Sequence, residues 1–356
     1  MSWLAINDSP GAGAGQVSDT LVSQEKLLIK GSLIIDVDFR MGQKAPCKLL
    51  TQCESGTWNR SFNLFLNPDY SLSLEIEQGD LRTYVRLSSI NLRDAGAVRL
   101  TYSWDAPRKY GLLTAEDRDD GAIYQAQVDS PIPYPMEDAI KLITGTQNSH
   151  YDERLVGLAL SDHVAPIGPA PTIAAGAQIC TDAGHCPIER LNIGDMVLTG
   201  GGQFQPVRSI ISQRYPAIGT TAPVKIRAPF FGLDDDLMVA MGQRLLLSSI
   251  DNEYNLGQST IQIEAGGLIG HPAVSRVDTQ LCSAFYQVLV DSHDFMQASG
   301  AWVETLYVGY LKNSPDILAT TALSGIPMEI IPLHRPHAHP VLRDYERQAL
   351  LETLTA

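Results

Sequence analysis

The side chains best equipped for chemistry in this sequence are a few cysteines, histidines and clustered carboxylates. Cys180, His185 and Cys186, with Cys282 farther along, are ligand types suited to Zn²⁺. Their Cys-x₄-His-Cys spacing does not fit a Cys-x₂-Cys knuckle, and adjacent ligands rarely converge on one ion, so no metal or other cofactor is expected. Cys180 and Cys186 flank the turn-like Asp182-Ala183-Gly184, which leaves a redox pair across a hairpin geometrically open. His334, His337 and His339 stand among prolines, where a solvated loop is the expectation. Asp117, Asp119 and Asp120 crowd one turn that could attract Ca²⁺. No Glu follows at the twelfth loop position, so a hairpin turn is expected instead. Trp58, Tyr84 and Trp104 could stack on a sugar, although Trp104 sits in an alternating strand and reads as core.

Composition narrows the partners. The chain of 356 residues carries 26 Lys+Arg against 40 Asp+Glu, a net charge of -14, with no Lys/Arg-rich run. That balance argues against nucleic acid and against anionic membrane surfaces. A hydrophobic content of 44% is enough to fill cores of normal size. No stretch approaches the ~18 apolar residues of a transmembrane segment. The N-terminus MSWLAINDSPGAG has no basic region followed by a long apolar one, so no classical signal peptide is expected. Localisation stays open between the cytoplasm and export by a non-classical route. Five cysteines make no disulfide framework and leave the redox compartment open.

The elements that must hold these side chains are strands. Ile35, Val37 and Phe39 alternate with Asp36, Asp38 and Arg40 over Ser32–Arg40, the period of a half-buried strand. Phe62, Leu64 and Leu66 repeat that period, as do Leu72, Leu74 and Ile76, and then Val98, Leu100, Tyr102 and Trp104. Ala122–Val128 follows the tight turn Asp120-Gly121. Met136–Ile143 has the spacing of a helix. Many short strands and one helix predict an all-β sandwich over 25–163, behind a flexible leader at 1–24. Three prolines within 164–171 predict a linker, since they can continue neither a central strand nor a helix. Shorter, irregular strands resume over 172–340, and the tail 341–356 could form one short amphipathic helix. The first half is weakly similar in pattern to concanavalin/laminin-G-type jelly rolls, which makes a glycan a candidate ligand by analogy of fold alone.

From residue 173 the chain runs Ile-Ala-Ala-Gly-Ala-Gln-Ile-Cys-Thr. It continues with Pro187-Ile188-Glu189-Arg190-Leu191-Asn192-Ile193-Gly194-Asp195-Met196-Val197-Leu198 and then Phe204-Gln205-Pro206-Val207-Arg208. These segments, with Gln243-Arg244-Leu245-Leu246-Leu247 and Asp291-Ser292-His293-Asp294, resemble in order and spacing the Hint (Hedgehog/intein) domain of bacterial proteins. The likeness spans about 172–350 and implies a Hint-like β domain behind the jelly-roll-like sandwich. Two of its segments have a structural account as well. Gly194 suits a left-handed turn with Asp195 bonding a nearby N–H, and Pro206 keeps Gln205 extended.

The resemblance also implies chemistry. Hint domains cut the peptide bond at their own N-terminus: a first-position Cys, Ser or Thr attacks the preceding carbonyl, and a His in a Thr-x-x-His block protonates the leaving nitrogen. On that alignment the first position is Thr172, after Pro171, and the block reads Ala240-Met241-Gly242-Gln243. His293 falls in the slot of a further imidazole at a strand end. A hydroxyl is scarcely ionised at neutral pH, and a Gln cannot titrate. The expectation is therefore a degenerate Hint domain in which Thr172, Gln243 and His293 mark a catalytically inactive site, with a structural or binding role. The alternatives are an N–O acyl shift and cleavage at Pro171-Thr172 by Thr172 with His293, or carbohydrate or surface binding through the N-terminal sandwich. The partner, a ligand or a protein, is not identified by the sequence.

Overall fold

The computed structural model describes residues 2–13, 15–19, 27–41, 45–90, 92–119, 121–248, 257–277, 281–309, 311–335, and 342, 346, 350 and 351. By internal contacts the chain divides into two compact units, Met1–Gly168 and Pro169–Ala356.

Two antiparallel sheets make the first unit. One runs in the order Ile123–Asp129, Tyr110–Asp117, Ala97–Asp105, Lys30–Asp38, Leu155–Ser161, Trp3–Asn7 and Gln16–Val17. The other runs Ser149–Tyr151, Cys47–Glu54, Arg60–Leu66, Leu72–Gln78 and Leu81–Leu87. The alternating apolar residues of both sheets, among them Val37, Leu64, Leu74, Ile76, Leu100 and Trp104, join in one core with Ala139, Leu142 and Ile143 of the helix Met136–Thr144. A jelly-roll-like sandwich is what alternation at this strand spacing produces.

Two local expectations need correction. The flexible leader does not hold for Trp3–Asn7, a fully buried strand that pairs with Leu155–Ser161 and Gln16–Val17. Trp3, Leu4, Ala5 and Ile6 form an apolar run, and burial in the sheet outweighs the weak local signals of the small and polar residues around it. Asp36 does not face water as a half-buried strand would have it, because Arg99 on the adjacent strand clamps its carboxylate at 2.7 and 2.8 Å. Both side chains are buried, and the bidentate pairing satisfies what water otherwise would. The division between the two units falls within the proline-rich stretch 164–171, where Ala165 and Ile167 are buried and the Ala165 N–H donates to Ser32 Oγ at 2.8 Å.

The second unit is also built on two sheets. The first places Ile173–Ala174 between Cys282–Leu289 and Leu237–Ala240. The second carries Gln178–Thr181, Phe295–Ala298, Ala301–Glu304, Arg244–Ser248 and Thr260–Glu264 in that order. Their apolar faces meet around Ile173, Ile179, Val239, Leu245, Met296 and Val303. A smaller apolar group of Ile211, Leu289, Leu306, Val308, Leu318, Leu323 and Ile331 lies beside this core. Most of the 341–356 tail, and with it the expected helix, falls outside the described residues, although Leu342 and Leu350 are buried in the main core.

Candidate functional site

Thr172 lies at the mouth of the strand pair that the fold uses to start its second unit. Ile173 is in register with Tyr286 on one side and Val239 on the other. One residue earlier, Thr172 therefore faces Gln287 and Ala240 across the two neighbouring strands. Its N–H donates to the Tyr286 carbonyl at 3.3 Å, and its carbonyl accepts from the Ala240 N–H at 2.7 Å. The tight turn after Ala240, closed by Gln243 N–H to Ala240 O at 2.9 Å, swings the Gln243 side chain back to the same place.

The side chains form a buried network of amides around one hydroxyl. Thr172 Oγ1 donates to Gln243 Oε1 in a very short contact. Gln287 Nε2 donates to Thr172 Oγ1 at 3.1 Å and to the Glu304 carbonyl at 3.1 Å, and lies 3.3 Å from Gln243 Oε1. Gln243 Nε2 donates to the carbonyls of Arg244 at 2.8 Å and Glu304 at 3.2 Å. Three acceptors around Gln287 Nε2 and two around Gln243 Nε2 fix both amide orientations. Thr172, Gln243 and Gln287 are all buried. Among the described residues, the side chains hydrogen-bonded to the Thr172 hydroxyl are thus two amides, neither of which can accept or release a proton at neutral pH. Gln287 was not singled out by sequence reasoning; the signal available was one amide within the otherwise apolar run Phe285-Tyr286-Gln287-Val288-Leu289. Ala240, where the family pattern has a hydroxyl, packs with Ala170, Ala174, Tyr215 and Phe285.

His293 is joined to this network through Glu304. Its Nε2 lies 3.1 Å from Glu304 Oε1, which also accepts from Arg244 Nη1 at 3.4 Å, while the backbone carbonyl of Glu304 serves Gln243 and Gln287. So the structure brings Thr172 and Gln243 into direct contact and sets His293 one residue behind them.

His334 stands behind His293, and here the solvated-loop expectation fails. It is 1% exposed and stacks on His293 with ring centroids 5.8 Å apart. Its Nδ1 accepts from the Val308 N–H at 3.3 Å and its Nε2 lies 3.1 Å from the Val290 carbonyl, which assigns the neutral tautomer with hydrogen on Nε2. Burial pushes its pKa below the ordinary imidazole value; the Val290 carbonyl opposes this and neighbouring His293 adds to it. His337 and His339 lie outside the described residues.

The other candidates separate. Cys180 pairs across its hairpin with His185, and Ile179 with Cys186, so the two cysteines point to opposite faces and are free thiols. Among the described residues no three His, Cys, Asp or Glu side chains gather as a metal site. Trp104 is 2% exposed, with its indole N–H on the Leu28 carbonyl at 2.9 Å, and so cannot stack on a ligand. Trp58 and Tyr84 remain exposed.

Comparison with known proteins agrees on the second unit. Residues 171–310 match the Hint domain family. No curated protein matches. Among solved structures, the chain is similar to the CBM40 of the Ruminococcus gnavus IT-sialidase, at 16% identity over 46% of this chain and 88% of that one, with a TM-score of 0.28. Two forms of the same protein, bound to alpha2,3 and alpha2,6 sialyllactose, give the same identity and TM-score over 87% and 88% of their chains. That similarity is too remote to transfer a ligand. The protein is an all-β chain with a jelly-roll-like N-terminal sandwich and a Hint-like C-terminal domain.

Proposed function

We propose that the C-terminal unit derives from self-cleaving Hint domains, has lost autoprocessing, and now serves a structural or binding role. One observation carries the reading: the Thr172 hydroxyl is held as a donor to Gln243 Oε1. To attack the Pro171 carbonyl it would have to shed that proton to a base, and an amide oxygen at neutral pH is none. The leaving nitrogen of Thr172 would need a proton from an acid. Its N–H instead donates to the Tyr286 carbonyl, and His293 bonds Glu304 rather than Thr172. The test is mass spectrometry of the purified chain, alone and with added thiol. An uncut chain supports the reading; a fragment beginning at Thr172, absent in Thr172→Ala, would establish autoprocessing instead.

The exposure of Trp58 and Tyr84, at 43% and 57%, favours a second reading in which the N-terminal sandwich binds a carbohydrate. Exposed aromatic faces offer sugars a stacking surface. Binding on a glycan array that disappears in Trp58→Ala supports it, and a blank array for the wild type removes it.

A further inference from the structure

The described chain returns to the back of the candidate site through His334, and the way it is held has a consequence for acid. Between Val290 and Val308 no direct ladder bond forms. The His334 imidazole fills the gap instead, Nε2 toward the Val290 carbonyl at 3.1 Å and Nδ1 accepting from the Val308 N–H at 3.3 Å. Its own N–H donates to the Gly309 carbonyl at 3.0 Å, and the neighbouring Leu306 N–H donates to Val288 O at 2.8 Å. One ring therefore ties its own segment to Val290 and Val308, and Val308 belongs to the apolar group of Leu306, Leu318, Leu323 and Ile331 with Ile211 and Leu289.

We infer that His334 is an acid-sensitive clasp: protonation of its ring releases the segment 306–334 from the strand Cys282–Leu289 while the main core of the unit stays folded. The chemistry is a matter of donors. An imidazolium carries hydrogen on both nitrogens, so Nδ1–H would meet the Val308 N–H head-on: the Val308 N–H would lose its acceptor and a second donor would face it. The groups around the ring offset the charge only in part: backbone groups of Val290, Asp291 and Leu306 favour it, but burial, the largest effect, and His293 outweigh them. His293 stacks on it, and a second imidazole can only add positive charge. The Glu304 carboxylate behind His293 is shared with Arg244, and the Asp291 carboxylate, which does feel the His334 charge, is held chiefly by Arg208 at 2.6 and 2.7 Å. Tyr307, with its ring 6.3 Å away, contributes no charge at neutral pH. The inference goes beyond the loss of autoprocessing and stands whether or not the bond before Thr172 is cut.

The direction in pH follows from the lowered pKa. A histidine whose folded pKa is depressed supports the closed state fully above its unfolded value, and that support is lost progressively as pH falls from the unfolded value to the folded one. Opening takes up one proton in this window, so below about pH 6.5 the open population should rise by up to about tenfold per pH unit.

Hydrogen–deuterium exchange on the full chain at pH 7.5 and 5.0, corrected for intrinsic rates, tests this. Peptides within 306–334 should gain deuterium uptake at pH 5.0 while those over Leu237–Ala240 and Phe295–Ala298 do not. His334→Gln, whose amide can accept from Val308 and donate to Val290 without titrating, should abolish the difference. An unchanged difference in His334→Gln, a difference abolished only by His293→Gln, or equal loosening of the whole unit would each overturn the clasp. Should His334→Gln not fold, proton NMR titration of the wild-type histidines replaces it. A buried histidine titrating below the ordinary range together with the 306–334 amide shifts supports the clasp, and its absence overturns it.

Discussion

At Thr172 the hydroxyl proton goes to Gln243, and the oxygen in turn accepts from Gln287. A buried amide network of this kind contributes as structure does: both amide nitrogens find acceptors, although Gln287 Oε1 has no hydrogen-bond partner among the described residues. Gln287→Leu should therefore destabilise the second unit by about 1–3 kcal/mol in urea unfolding, because Thr172 Oγ1 loses its donor and the Glu304 carbonyl one of its two. A neutral result would show the network to be dispensable. Thr172→Ser keeps the hydroxyl and should leave the same midpoint within about 0.5 kcal/mol. The two tryptophans divide in the same way. Trp104→Ala empties a core site and should cost about 3–5 kcal/mol, while Trp58→Ala, which loses a contact with Arg60 at the surface, should cost no more than about 1 kcal/mol.

The strands supply positions that no single residue announces. Trp3–Asn7 is an inner strand of the seven-stranded sheet, so Ile6→Ala should cost about 2–5 kcal/mol by thermal or urea unfolding. A flexible leader would show no change. Across Lys30–Asp38 and Ala97–Asp105 the buried Asp36–Arg99 pair makes Asp36→Ala destabilising, by about 1–3 kcal/mol, since a bidentate charge-assisted pair is lost. Period-two alternation made Phe62–Leu66, Leu72–Ile76 and Val98–Trp104 legible, because a sandwich buries one face of each strand and that face must be apolar. Alternation says nothing about whether the polar face of a strand is itself buried, which is why Asp36 read as lying on a half-exposed strand. Nor does it flag a strand in which every residue is buried, as in Trp3–Asn7.

In the molecule as a whole, each unit was legible to a different degree. The sandwich follows from periodicity. The second unit has short, irregular strands, and its identity rested on ordered segments such as Gly194-Asp195 and Phe204-Gln205-Pro206-Val207-Arg208, whose turns the structure builds as expected. Gly194 has a positive φ of 98°, and Asp195 Oδ2 accepts from the Asn192 N–H at 2.8 Å. The site was half legible. The positions of Thr172 and Gln243 came from alignment with those segments, while Gln287 and His334 became visible only in three dimensions, because both act across strands distant in sequence. The central claim, that this Hint-like domain no longer cuts its own chain, meets its most direct test in the intact mass of the purified protein. The account predicts a single full-length species, unchanged by thiol and identical in behaviour to Thr172→Ala. A pair of fragments divided between Pro171 and Thr172, formed by the wild type and not by Thr172→Ala, would contradict it.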